Sequence, residues 1–170
     1  LVGSEMCIRD RYGRDENSTQ ISEVKMKKLY VKNHADIQGK TFGSQGNEFM
    51  VKEIVPQEEA SRCRANFVEV EPGNNAYGYH YHETEEEIFY IISGEAAVRT
   101  ANGEIFLKTG DAVTFPCGPE GAHVIRNASK TEKLVYLDFG TVNIPEIVHL
   151  PDINKIMVNG PFGKGTYDVK

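Results

Sequence analysis

The sequence predicts an all-β fold, a sandwich or barrel, on three observations. Short segments rich in Val, Ile, Phe and Tyr recur through the chain, turn residues separate them, and no long amphipathic helical repeat interrupts them. In order, strands are expected over residues 49–55, 65–70, 88–92, 95–100, 104–108, 112–115, 124–127 and 134–139. Asn102-Gly103 joins two alternating segments, and a type I′ turn needs two residues there that tolerate positive φ. A second reversal is expected at Ser93-Gly94, and a short helix over 57–62. Beyond Thr141, Pro145, Pro151 and Pro161 with several glycines imply an extended wrapping segment or an added edge strand.

A chain of 170 residues is one domain by size, with room for a single core. Its 25 acidic against 19 basic residues give a net charge of -6, which argues against a nucleic-acid surface and against attraction to anionic lipid. No apolar run approaches the length that spans a bilayer, and no basic segment leads into an apolar one as in a secretory signal. A cytoplasmic protein with small-molecule partners is expected. Cys7, Cys63 and Cys117 are odd in number and have no paired spacing, so reduced thiols are expected. Residues 1–25 are polar, lack either structural period, and resemble adaptor-derived sequence, so they are expected to be a non-native or disordered leader before Met26.

The chemistry concentrates in two segments. His80 and His82, one residue apart in an extended chain, point to the same face, because side chains alternate along a strand. An acidic run follows, Glu83, Glu85, Glu86 and Glu87, and Glu87 opens the next expected strand. Two histidines and one carboxylate make a facial set that holds a divalent metal with positions left open. Taken alone, the histidine pair could be a solvent-facing polar pair, the acidic run a solvated loop, and His123 a satisfied core histidine ahead of Val124 and Ile125.

These residues carry a resemblance. The segment Gly73 to Gly94 resembles the first motif of the cupin superfamily, G-x5-H-x-H-x(3 or 4)-E-x6-G, with Glu87 seven residues before Gly94 and four residues between it and His82. Gly110, Pro116, Gly118, His123 and Asn127 resemble the second motif, G-x5-P-x-G-x2-H-x3-N. The departures are the opening glycine, displaced to 73, and four residues instead of two before His123. Neither touches a ligand position. The resemblance implies a single jelly-roll domain (a double-stranded β-helix) over roughly 45–142, an N-terminal arm over 26–44, a C-terminal extended segment over 143–170, and a homodimer. It also implies a metal site of His80, His82, Glu87 and His123, with Gly94, Gly110, Pro116, Gly118 and Asn127 structural. Cys117 is expected to be a small buried side chain, and Tyr77, Tyr79 and Tyr81 to face away from the ligands. Phe67, Phe89, Ile91, Ile125 and Tyr136 are the candidate lining of the interior.

Three imidazoles and one carboxylate without thiolate suit one divalent transition metal, Mn, Fe, Co, Ni or Zn, and do not choose among them. The expected function is a small metal-dependent enzyme of oxygenase or isomerase type, a dioxygenase or a sugar-type isomerase, acting on an oxygenated small molecule. The alternative is a non-catalytic module that uses the metal to bind or sense a small molecule. A metal-free sugar-nucleotide epimerase would need a His-Asp pair in a barrel without this ligand set, and the intact set counts against it.

Overall fold

The computed structural model describes residues 29–44 and 47–169; the expected leader lies outside them. The strands are β1 (Lys40–Phe42), β2 (Phe49–Glu53), β3 (Cys63–Val70), β4 (Asn75–His82), β5 (Glu87–Ser93), β6 (Glu95–Thr100), β7 (Gly103–Lys108), β8 (Ala112–Phe115), β9 (His123–Asn127), β10 (Leu134–Thr141), β11 (Glu146–Leu150), β12 (Lys155–Gly160) and β13 (Gly163–Asp168). They form a six-stranded sheet, β1-β2-β3-β10-β5-β8, and a seven-stranded sheet, β13-β12-β11-β4-β9-β6-β7. Each expected strand is present, with ends that move by two residues or fewer. The expected helix over 57–62 is a single 3-10 turn, Gln57–Glu59. No helix among the described residues is long and apolar enough to cross a membrane.

Strand alternation builds the interior in layers. Along β5, Glu87, Phe89 and Ile91 are buried, while Ile88, Tyr90 and Ile92 face out. The register with β10 and β3 sets Tyr136 beside Ile91 and Val68, Asp138 beside Phe89 and Asn66, and Gly140 beside Glu87 and Arg64. The inward positions are therefore apolar deep in the sandwich and polar at one end. The apolar part, with Val70, Ala76, Ala96, Val98, Ile125 and Leu134 from both sheets, forms one core, and each large side chain there contributes about 1.5–3 kcal/mol by its burial. Of the candidate lining residues, Phe89, Ile91, Ile125 and Tyr136 are almost wholly buried. Phe67 is not part of that lining: it has the outward parity of β3 and packs against the His34 ring at 4.9 Å, under the N-terminal arm.

Two turns show how the chain reverses. At Gly94, φ is 86° and a Cβ would come 2.7 Å from the Lys133 carbonyl oxygen, so only glycine lets the chain pass from β5 in one sheet to β6 in the other. The β6–β7 hairpin pairs Thr100 with Gly103, so its loop is Ala101-Asn102, and Gly103 alone has positive φ. The reversal is where Asn102-Gly103 marks it, shifted by one residue from the expected type I′ placement, because the glycine serves as the residue after the turn.

The segment after Thr141 forms three strands. β11 pairs with β4 through Val148 opposite His82 and His149 opposite Tyr81, which extends the sheet that carries the histidines. At the far end of β9, Asn127 is fully buried. It donates from Nδ2 to the carbonyls of Val70 and Glu132, both at 2.8 Å, and accepts from the Ser129 amide at 2.9 Å. Asn127→Ala would leave these groups unpaired, and we predict a loss of about 3 kcal/mol in urea denaturation. A loss under about 1 kcal/mol would show that this node does not hold the two sheets together.

Candidate metal centre

The four residues expected to be ligands converge at the polar end of the interior. His80 and His82 project from β4, His123 faces His80 directly across the β4–β9 ladder, and Glu87 enters from the opposite sheet at the start of β5. Glu87 Oε2 lies 3.3 Å from His123 Nε2, 3.6 Å from His82 Nε2 and 3.8 Å from His80 Nε2. Ligand atoms of His80, Glu87 and His123 lie within 4.8 Å of one another, a spacing that can enclose one ion; His82 sits outside that tight trio but against the same carboxylate oxygen.

The ring tautomers follow from the backbone. His80 Nδ1 lies 2.7 Å from the Gly78 carbonyl and His123 Nδ1 lies 2.8 Å from that of Gly121. A carbonyl can only accept, so both Nδ1 atoms carry a proton, and in the neutral rings Nε2 is then the atom that presents a lone pair. Glu87 Oε2 and His123 Nε2 are buried with no hydrogen-bond partner among the described residues. Acceptor atoms thus converge on one point without a donor between them. A cation satisfies that arrangement.

Local sequence explains the placement. Tyr77, at φ 59°, makes a bulge that breaks the β4–β9 register between Ala76 and His80 and precedes the Gly78 carbonyl that holds His80. The bulge also breaks the expected alternation of the tyrosines. Tyr81 and Tyr79 do keep the other face, stacked on His149 and under Arg99. Tyr77 instead turns toward Phe49, 4.6 Å between centroids, and its phenol reaches Asp138. Gly121, whose carbonyl holds His123, has no room for a Cβ, which would lie 1.8 Å from the Pro116 oxygen. The His123 ring is stacked on Phe115 at 3.6 Å.

Sequence reasoning missed Arg64 and Asp138. Arg64 bonds Glu87 Oε1 through Nη2 and Asp138 Oδ1 through Nη1 at 2.7 Å, so Glu87 is gripped by one oxygen while the other stays free. Gly140 lies between Arg64 and Glu87 in the ladder, and a Cβ on it would stand 2.9 Å from the guanidinium carbon. The signal was parity: Arg64 and Asp138 share the inward phase of Val68, Val70, Leu134 and Tyr136. Glu85, expected in a solvated loop, is 9% exposed and accepts from the Asn143 amide at 3.1 Å, whereas Glu83 and Glu86 are exposed. Cys117 is half-buried, with Sγ 3.5 Å from the Glu85 carbonyl.

The electrostatics suit a cation. Glu85, Glu87 and Glu146 stand against the histidines, and Arg64 pairs with Glu87 and with Asp138 behind it. Burial works to raise the Glu87 pKa, but Arg64 and the histidines outweigh it and hold the carboxyl down to about 2. Burial, with His80 beside it, lowers His123 to about 4. Burial raises Glu85 and Asp138 above the ordinary carboxylate range.

Residues 66–140 match the sequence model of the family described as Cupin domain. The chain superposes on a candidate sugar phosphate isomerase from Acidithiobacillus ferrooxidans with a TM-score of 0.72 at 25% identity, over 81% of this chain and 91% of that one. A sugar phosphate isomerase of the cupin superfamily from Silicibacter pomeroyi gives 0.70 at 20% identity, over 81% and 92%. A predicted oxalate decarboxylase from Thermotoga maritima gives 0.58 at 23% identity, over 66% and 99%. The last two likenesses are ones of fold. Comparison of the sequence with curated proteins finds no match.

The pKa directions fix how metal-free protein responds to acid. Between pH 6.5 and about 4 the unfolded chain takes up a proton on His123 that the folded chain refuses, so stability falls as pH drops through that window. Below pH 4.5, Glu87 and Glu69, the latter held to about 2 by Lys52 and Lys133 against its burial, stay ionised only when folded, and their contribution is lost as pH falls toward 2. His123 therefore works to lower the thermal midpoint in the upper window, where Glu85 and Asp138, raised by burial, act in the opposite sense, so the test is the difference between wild type and His123→Gln: the variant should lose the His123 part of the slope. Identical slopes in wild type and His123→Gln from pH 6.5 to 4 would contradict the assignment.

Proposed function

The chain belongs to the cupin superfamily, and on that premise we propose that it is a small metal-dependent enzyme of the isomerase type acting on an oxygenated small molecule. His80, His82, Glu87 and His123 are its metal ligands. The observation that carries the reading is the convergence of Glu87 Oε2 and His123 Nε2, buried and without hydrogen-bond partners among the described residues, with the Nε2 atoms of His80 and His82 turned toward the same carboxylate oxygen. A divalent ion held there would polarise a carbonyl or enediol oxygen of a bound substrate. Arg64 fixes Glu87 by Oε1. Glu85, 3.7 Å from His82 Nδ1 and raised by burial, is the carboxylate placed to take a proton from one carbon and pass it to the next, whereas Asp138 is held by Arg64. The buried Tyr136 hydroxyl, without a hydrogen-bond partner among the described residues, is a neutral donor in the same interior. The likeness to the candidate sugar phosphate isomerase, at 25% identity over most of both chains, favours isomerisation over oxygenation.

The domain bounds are part of the same proposal: 45–142 as the cupin domain, 26–44 as its arm, and 143–170 as an extension. A homodimer is proposed as well. The resemblance implies it, and Ile88, Tyr90, Ile92 and Phe139 form an apolar outer face on neighbouring strands, each 36–44% exposed. We predict a solution mass by light scattering twice that of the chain; a monomer at micromolar concentration would contradict it.

The activity test is incubation of metal-loaded protein with phosphorylated and free aldoses and ketoses in D₂O. We predict interconversion with deuterium entering at the carbon that receives the proton, and a fall of at least about 100-fold in His123→Ala. Dioxygen uptake with a chelating substrate would place the protein among oxygenases instead. Tight ligand binding without turnover of any kind would make it a binding or sensing module.

A further inference from the structure

His82 differs from the other two histidines in what faces its second ring nitrogen. His80 and His123 are held by carbonyls of their own loops, whereas His82 Nδ1 is buried and makes no hydrogen bond among the described residues. It lies 3.4 Å from Glu146 Oε1 and 3.7 Å from Glu85 Oε2. Glu146 stands on β11, beyond the matched residues 66–140, and is only 1% exposed.

The two carboxylates are not equivalent. Glu85 Oε1 accepts from the Asn143 amide, and Oε2 faces Arg64 Nε at 4.0 Å. Glu146 is fixed by the turn that follows His82: Oε1 accepts from the Glu83 amide at 2.9 Å, and Oε2 accepts from the Thr84 amide at 3.1 Å and from the Thr84 hydroxyl. No Lys or Arg pairs with it among the described residues, and His82 is its one ionisable partner. A carboxylate so deeply buried gains from every polar hydrogen it can reach, and the buried His82 Nδ1 beside it has no other hydrogen-bond partner among the described residues.

We propose that Glu146 is the positioning residue of His82: its Oε1 accepts the hydrogen bond from Nδ1–H and so fixes the tautomer that leaves Nε2 for the metal ion. The inference rests on the metal reading above. It makes β11 part of the metal centre, so that a strand outside the matched cupin domain completes the ligand set, and it makes His82 a stronger donor than the two carbonyl-held histidines.

The test uses full-length protein stripped of metal and titrated with Zn²⁺ against a chromophoric chelator, in wild type, Glu146→Gln, Glu146→Asp and Glu85→Gln. Glu146→Gln should weaken Zn²⁺ binding about 10- to 100-fold, Glu146→Asp should recover part of the loss, and Glu85→Gln, which removes a nearby charge but not this hydrogen bond, should lose clearly less than Glu146→Gln. Equal affinity in Glu146→Gln, or a loss in Glu85→Gln as large as in Glu146→Gln, overturns the assignment. Nitrogen-15 NMR of the His82 ring in metal-free wild type gives an independent reading that no variant's folding can obscure: the Nδ1–H tautomer is expected, and Nε2–H overturns the proposal. If wild type takes up no Zn²⁺, the metal reading fails by itself, and the tautomer still decides the role of Glu146.

Discussion

The centre of this protein is held by an arrangement that protein atoms alone do not satisfy: acceptor atoms turned toward one another in a buried space. Glu87 Oε2 faces the Nε2 atoms of three histidines, and for His80 and His123 the backbone has already placed the ring proton on the far nitrogen. Leaving buried acceptors unpaired costs on the order of 1–3 kcal/mol each. The surroundings spend further structure on keeping them so. Phe115 fixes the His123 ring, Arg64 occupies the other oxygen of Glu87, and Gly140 gives Arg64 the space to reach it.

The fold delivers these groups by simple means. Strand alternation and register put apolar side chains deep and polar ones at one end on β3, β5 and β10. Opposite them, the Tyr77 bulge and the tight loop at Gly121 turn two carbonyls toward the rings. Positive φ at a tyrosine costs on the order of 1 kcal/mol. Relief of that strain by glycine would remove a ring that packs on Phe49 and a phenol that reaches Asp138. The C-terminal strands then close the sheet over the back of His82.

Much of this was legible in the sequence because its signals are local. Short runs rich in Val, Ile, Phe and Tyr between turn residues mark the eight central strands, and the spacing of His80, His82, Glu87 and His123 marks residues that the structure brings together. What was missed depends on pairing between distant segments. Arg64 and Asp138 matter through a ladder joining residues more than seventy apart, although their inward parity was readable. The Tyr77 bulge reversed one side chain's direction because alternation assumes an unbroken register. Glu85 looked like one of several loop acids and is buried by Asn143, which arrives from after β10. Glu146 could not be tied to His82 before β11 was known to lie beside β4.

The central claim is that this convergence is a metal site, and elemental analysis tests it most directly. The protein should be purified without a metal-binding tag and compared with His82→Ala. Near-stoichiometric divalent transition metal in wild type, with a marked fall in the variant, is the predicted result. Wild type that carries none and takes up none on reconstitution would contradict the account.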